Sequence, residues 1–418
     1  MNWNDTAQIM SEGSHNRIVG PPRFGATIPV TALSHVLPMR IAIVTAASWT
    51  GGIERVIFML ANRWANAGHS VRIITFERPG DQPAFELDER VALEQLDLLR
   101  PSATYREAIC GNLRRVFVLR RSLRSFAPDV TLAQGTVPNI LAMLAAIGRR
   151  WPTIVTEQVH PGYHVLPRPW EQLRRIAYPW ADAIVVQTRD IAKWVAAVLR
   201  LPSEVMPNPI ELSRFAAPPV DTGRQQLGRR RLIAVGRLAP QKGYDLLINA
   251  FARIAKLDPA WDLVIYGDGP ERATLERMID ALGLSGRIVL AGNTTTIEQA
   301  YANADLFVHA ARYEGYPNVV QEALAAGKAV IATDCPGATR ELLAGGRYGV
   351  LVPNEDVDAL ERALRSLMTD GDRRAALACS ARVAVLPFDA DRIADRWLEL
   401  FGRVVDRRKR RPWPQLLR

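Results

Sequence analysis

Leu232-Ile233-Ala234-Val235-Gly236-Arg237-Leu238-Ala239-Pro240-Gln241-Lys242-Gly243 is the stretch from which the chain can be read. Four consecutive apolar residues describe a strand covered on both faces, as in a parallel sheet. Gly236 ends it, two cations follow, and a helix then carries Leu246, Leu247, Ala250, Phe251 and Ile254 at helical spacing. Open α/β sheets bind ligands beyond the carboxyl ends of their strands, so Arg237 and Lys242 stand where an anion would lie. Downstream, Glu314-Gly315-Tyr316-Pro317-Asn318-Val319-Val320-Gln321-Glu322 puts seven residues between two carboxylates, around the start of another helix. Pro317 suits the first helical position, and the free amides of residues 316–319 are then expected to face the crevice. Cations beside hydroxyl-accepting carboxylates describe a pocket for a ligand with a diphosphate and several hydroxyls.

The alternation of strand and helix extends in both directions. Before the linker, apolar strands read at 40–45, 71–76, 129–133, 153–156 and 183–186. Beyond the opening stretch they read at 263–266, 288–290, 304–309, 329–332 and 349–352. Helical patterns lie between them, so the fold class is α/β, with two doubly wound Rossmann-like domains facing across a cleft. Residues 1–38 are polar, interrupted by Gly and Pro and aperiodic, and read as a disordered leader. Residues 39–210 form an N-terminal domain, 211–231 a Pro-, Gly- and Arg-rich linker, and 232–388 a C-terminal domain. Residues 389–418 form a helix with an apolar face and a basic tail that either frays or adds to a membrane surface.

A length of 418 residues fits roughly two or three domains, and 48% hydrophobic with 23% charged residues fits an ordinary globular chain. No apolar run approaches the roughly 20 residues of a membrane span. Three scattered cysteines suggest neither a disulfide framework nor a zinc site. The net charge of +10 fits phosphorylated substrates or an anionic membrane surface. No helix-turn-helix, zinc finger or RNP-like strand accompanies the charge, so no nucleic-acid partner is expected of the main reading. The helix 105–126 carries Arg106, Arg114, Arg115, Arg120, Arg121 and Arg124 around Ile109, Leu113, Val116, Phe117 and Leu123. Such a pattern suits a solvated face or a surface for anionic lipid headgroups.

The Gly-Arg…Lys-Gly segment and the paired glutamates, in this order with Gly267-Asp268-Gly269-Pro270 between them, resemble the retaining glycosyltransferases of the GT-B fold, family 4. The resemblance runs from about Met39 to about Trp397. It implies that the first domain binds an acceptor and the second a nucleotide-sugar, and that the last helix crosses back onto the first domain. Arg237 and Lys242 would meet the diphosphate, where preorganised cations stabilise the leaving charge. Glu314 would hold sugar hydroxyls and favour positive charge at the anomeric carbon, Glu322 would hold the ribose, and Asn293 would lie near the base. Gly315, Tyr316, Pro317, Asn318 and Val319 would complete the donor site. Gly51 and Gly52, between a strand and a helix N-terminus, would approach donor phosphates and acceptor, although a ligand-free turn has the same sequence. His160 would be the functional histidine after the strand 153–156, with Glu157 and His164 as rivals.

The implied reaction moves a hexose from a UDP- or GDP-sugar to a lipid-linked saccharide or polysaccharide precursor at the cytoplasmic face of the membrane, with no cofactor. Asp356-Val357-Asp358 resembles a metal-binding Asp-x-Asp, but its place at a helix start fits capping, so no essential metal is expected. A UDP-sugar 2-epimerase of the same fold and a non-catalytic basic protein for lipid or nucleic acid are the alternatives.

Overall fold

The computed structural model describes residues 37–47, 52–83, 85–99, 104–149, 151–162, 166–216, 229–256 and 258–410. Gly51, His164, most of the leader, the linker stretch 217–228 and the tail beyond 410 lie outside the described residues. The first sheet contains β1 (Arg40–Val44), β2 (Ser70–Thr75), β3 (Ala92–Gln95), β4 (Val130–Gln134), β5 (Thr153–Glu157), β6 (Ala183–Val186) and β7 (Glu204–Val205). Its strands are parallel in the order β3-β2-β1-β4-β5-β6-β7. The second contains β8 (Arg230–Val235), β9 (Trp261–Tyr266), β10 (Ile288–Gly292), β11 (Leu306–His309), β12 (Val330–Thr333) and β13 (Val350–Val352). These are also parallel, in the order β10-β9-β8-β11-β12-β13.

Each sheet begins in its middle and winds outward both ways, so winding reverses between β1 and β4 and between β8 and β11. The crevice of a doubly wound sheet opens at that reversal. The central strands are the apolar ones because helices cover them on both faces. Along β8, Leu232 and Ala234 enter one core with Phe251 and Trp261, while Ile233 enters another with Phe307, Val320 and Leu324. This alternation is the two-residue period of a strand buried on both sides.

The helix Ala390–Arg410 lies on the first sheet's side, with Ile393, Trp397, Phe401 and Val404 packed among Ile41, Ile43, Trp64 and Leu132. Trp64 and Phe401 meet nearly edge-on with ring centroids 5.1 Å apart, and the Trp64 indole N–H donates to the Ala394 carbonyl at 3.2 Å. The helix continues to Arg410, so its basic last turns are not a frayed tail. Arg403 pairs with Glu204 at 2.8 Å and Arg408 with Asp182 at 3.3 Å, which ties the last turns to the first domain.

Two segments connect the domains, one around Ile210 and one around Asp389. They are joined to each other: the Ile210 N–H donates to the Phe388 carbonyl at 2.8 Å, and the Ala390 N–H donates to the Ile210 carbonyl at 3.0 Å.

Candidate active site

β8 and β11 flank the reversal in the second sheet, and their carboxyl-end loops carry the two sequence motifs. After β8 the chain makes a single tight turn, Pro240–Lys242, and Gly243 closes it with φ of 63°. A Cβ at Gly243 would strike the Ala310 carbonyl oxygen, so only glycine lets this loop lie against the end of β11. Lys242 is thereby carried to Glu314, and its ammonium pairs with Oε1 of that carboxylate. Gln241 donates to the Tyr313 carbonyl at 2.9 Å and reaches the other Glu314 oxygen at 3.4 Å. Arg237 is exposed and makes no ion pair among the described residues, which leaves its guanidinium available to a ligand.

Under this pair lies a set of buried polar groups. His309, the last residue of β11, brings Nε2 to 3.6 Å from Glu314 Oε1, yet that nitrogen has no hydrogen-bond partner among the described residues. Burial pushes the His309 pKa down to about 4, with Lys242 lowering it further and Glu314 partly opposing. The ring is therefore neutral near pH 7. Tyr244 is 4% exposed, and its hydroxyl likewise lacks a partner among the described residues. Burial holds its pKa far above the usual range, with Glu314 adding to the shift.

The helix Asn318–Ala325 follows. Pro317 stands one position before it as the N-cap, with ψ of 82°, rather than in the first helical position. The Asn318 amide donates to the Tyr316 carbonyl at 3.0 Å, so the turn itself uses one of the amides expected to face the crevice. Glu322, one turn into the helix, is 3% exposed. Tyr301 donates its hydroxyl to Glu322 Oε2 at 2.9 Å, and Arg55 of the first domain pairs with Oε1.

The first domain meets this surface closely. A Cβ at Gly52 would run into the Asn318 amide nitrogen, and one at Gly315 would run into the Gln158 carbonyl oxygen. Asn208 donates to Asn318 Oδ1 at 2.8 Å, and Gln321 donates to the Asn208 carbonyl at 3.0 Å. The Arg189 N–H donates to Glu341 at 3.0 Å. Gly52, Glu314, Gly315, Asn318 and Glu322 are thus gathered at one place between the sheets, while Asn293 lies exposed on the loop after β10.

His160 is 9% exposed on the loop after β5. Its Nδ1 accepts from the Gly162 N–H at 3.1 Å, and its Nε2 lies 3.5 Å from Asp190. Burial lowers its pKa and Asp190 opposes this, so the neutral ring is favoured. Glu157, its expected rival, is the last residue of β5 and not a loop residue. It is 3% exposed, with Tyr178 donating its hydroxyl, Thr136 at 3.1 Å and Arg174 at 3.6 Å. Burial raises its pKa and these partners oppose that. Such a network holds the end of β5 in place.

An open cavity of about 1220 Å³ runs along the helix Gly52–Asn66, lined by Arg55, Phe58, Arg214, Thr294, Thr295 and Leu398 among others. It touches the loop after β10 but includes none of Arg237, Lys242 and Glu314, so it adjoins the motif residues and does not contain them. Asp356 caps the helix Val357–Thr369 by accepting from the Ala359 N–H at 2.8 Å, and Asp358 pairs with Arg253 at 2.6 Å. Among the described residues, no three His, Cys, Asp or Glu side chains are grouped to hold a metal ion.

Arg55, Tyr301, His309 and Asn208 join the site without having been singled out for it in the sequence. His309 carried one signal, its place at the end of the strand leading to Glu314. Arg55 carried none, because its partner is 267 residues away.

The model described as Glycosyltransferase Family 4 matches residues 50–214. That described as Glycosyl transferases group 1 matches residues 222–383. A Campylobacter jejuni GalNAc-alpha-(1->4)-GalNAc-alpha-(1->3)-diNAcBac-PP-undecaprenol alpha-1,4-N-acetyl-D-galactosaminyltransferase is 27% identical, over 88% of this chain and 99% of that protein. A GDP-mannose-dependent alpha-mannosyltransferase of Mycobacterium tuberculosis is 29% identical, over 88% of this chain and 98% of that protein. Among solved structures, sucrose-phosphate synthase from Thermosynechococcus elongatus superposes with a TM-score of 0.76 at 20% identity, covering 88% of this chain and 100% of that one. Anabaena Alr3699/HepE in complex with UDP superposes with a TM-score of 0.74 at 20% identity, covering 87% and 100%. With both modules matched in succession on two sheets of this topology, the chain belongs to the glycosyltransferases of the GT-B fold, with a family 4 first domain and a group 1 second domain.

Proposed function

We propose that this glycosyltransferase moves a hexose, with retention at the anomeric carbon, from a UDP- or GDP-sugar to a lipid-linked saccharide or polysaccharide precursor. The observation that carries this reading is the Lys242–Glu314 pair at the reversal of the second sheet, with Arg237 exposed beside it. The bond from the anomeric carbon to the β-phosphate oxygen breaks, the acceptor hydroxyl oxygen bonds to that carbon, and its proton passes to the departing β-phosphate oxygen. Lys242 and Arg237 meet the charge left on the diphosphate, which makes an essential metal unnecessary. Asp356 and Asp358 are already engaged with a helix cap and Arg253, which supports the same view. Glu314 accepts sugar hydroxyls and Glu322 the ribose. Closure of the first domain, bringing His160 and the loop at Gly52, excludes water so that transfer outcompetes hydrolysis.

The acceptor side is supported by the helix Tyr105–Phe126. Ile109, Leu113 and Phe117 are 60%, 65% and 70% exposed along one stripe, flanked by exposed Arg106, Arg114, Arg121 and Arg124. Arg115 and Arg120 instead donate to the chain's own carbonyls, at Leu98 and Ile147. An apolar stripe with a cationic border fits the cytoplasmic face of an anionic membrane, where a lipid-linked acceptor would be held. No described helix is long and apolar enough to cross a membrane.

A thermal-shift panel of UDP, GDP and ADP and their hexoses, with EDTA present, tests the donor. A ligand at a hundred times its Kd stabilises the fold by about 2.7 kcal/mol. One nucleotide family should stabilise the wild type and fail on Arg237→Ala and Glu322→Ala. Absence of any shift on the wild type would sink the reading.

A further inference from the structure

Both oxygens of the buried Glu322 carboxylate are engaged, one by the Tyr301 hydroxyl and one by the Arg55 guanidinium. Tyr301 belongs to the same domain as Glu322, but Arg55 comes from the helix Gly52–Asn66 of the first. The start of that helix is fixed against the start of the helix bearing Glu322. Gly52 abuts the Asn318 amide, and Asn208 bonds the same side chain from the first domain at 2.8 Å. The Arg55 side chain is 22% exposed and lines the cavity that passes Thr294 and Thr295. It therefore stands between solvent and a carboxylate that is nearly closed off. A buried carboxylate with one hydroxyl partner and no cation carries a heavy desolvation cost. With Arg55 beside it the charge is compensated, and the lone pairs left on both oxygens can still accept.

We infer that Arg55 is a positioning residue for the donor, a counterion lent by the first domain that orients Glu322 to accept the ribose hydroxyls of a nucleoside diphosphate. The inference rests on the proposed function. Its consequence is that ribose recognition is complete only when the two domains are together, so nucleotide binding and closure reinforce each other.

The experiment is calorimetric titration with the nucleoside diphosphate that binds wild type and with its 2′,3′-dideoxy counterpart. The proteins are wild type, Arg55→Met, Arg55→Lys, Glu322→Gln and the double variant Arg55→Met/Glu322→Gln, each checked for wild-type circular dichroism. Wild type should prefer the ribonucleotide. Arg55→Met should weaken ribonucleotide binding about tenfold and shrink that preference, because an oriented, charge-assisted acceptor is lost. Arg55→Lys should recover part of it, and the double variant should bind no more weakly than Glu322→Gln alone. A structural role would lower the affinity for both ligands alike and leave the preference unchanged. An unchanged preference in Arg55→Met, or losses that add in the double variant, overturns the inference while the donor reading stands. Failure of wild type to bind any nucleoside diphosphate overturns both.

Discussion

Gly315 of the second domain lies so close to the carbonyl of Gln158 in the first that no Cβ fits between them. Glu314 precedes this contact directly, so the spacing of the two domains and the position of the carboxylate are set together. Gly315→Ala has to push the loops apart. Its kcat/KM should fall roughly 10²-fold, as a displacement near 1 Å can cause, while its Tm stays within a few degrees of wild type. Turnover within twofold of wild type would show that the working enzyme does not use this contact.

Lys242 and Glu314 are expected to be linked in stability as well as in turnover. Lys242→Ala strands a carboxylate that is 8% exposed, a loss of about 3 kcal/mol in urea unfolding. The double variant Lys242→Ala/Glu314→Gln should regain much of that stability. Turnover should fall 10²- to 10³-fold in the single variant and stay down in the double, because the cation that meets the leaving diphosphate is gone in both. Stability losses that simply add would show that the two side chains do not interact in solution.

His309 gives the fold a pH dependence of known sign. Its pKa is near 4 when folded, against 6.5 as the ordinary value. Between those limits the unfolded chain binds a proton that the folded chain does not, so stability is full above pH 6.5 and falls as pH drops toward 4. The loss amounts to about 2 kcal/mol by pH 5. Burial lowers the pKa of His69 and His160 too, so the measurement is a difference. The gap between pH 7.5 and pH 5 in urea unfolding should be about 2 kcal/mol smaller in His309→Gln than in wild type. An equal gap would mean that His309 takes up its proton in the fold as readily as in the unfolded chain.

For the exposed stripe, Ile109→Glu and Phe117→Glu should each reduce co-sedimentation with phosphatidylglycerol vesicles about thirtyfold, since burying one large apolar side chain is worth about 2 kcal/mol. Transfer to a short, water-soluble acceptor should be unaffected. Vesicle binding equal to wild type in both variants would leave the stripe without this role.

The central strands could be read because burial on both faces makes them apolar throughout, as Ile233 and Val308 show. β3, with sequence ALEQ, could not. It lies at the sheet edge and is only partly covered, so no apolar run marks it. The last turns of the final helix read as a basic tail for a similar reason. Its final turns are basic and look solvated, and what keeps them helical is pairing with Glu204 and Asp182, about two hundred residues earlier. Motif spacing brought Glu314 and Lys242 to notice, because each lies close to the strand end that carries it. Arg55 stayed hidden because its meeting with Glu322 depends on how the two domains come together, which no local pattern records.

The mutual hydrogen bonds of Ile210 with Phe388 and Ala390 bear on how the cleft can open. Two separate tethers would let one domain slide or shear past the other. Tied rung to rung, they behave as a single pin, and the easy motion left is a swing about it. Arg55 with Glu322 lies near the pin, because Gln321 donates to the Asn208 carbonyl two residues from Ile210. Contacts far from the pin travel the longest arc and part first, so the ligand's way in is a wedge that widens from the outer rim.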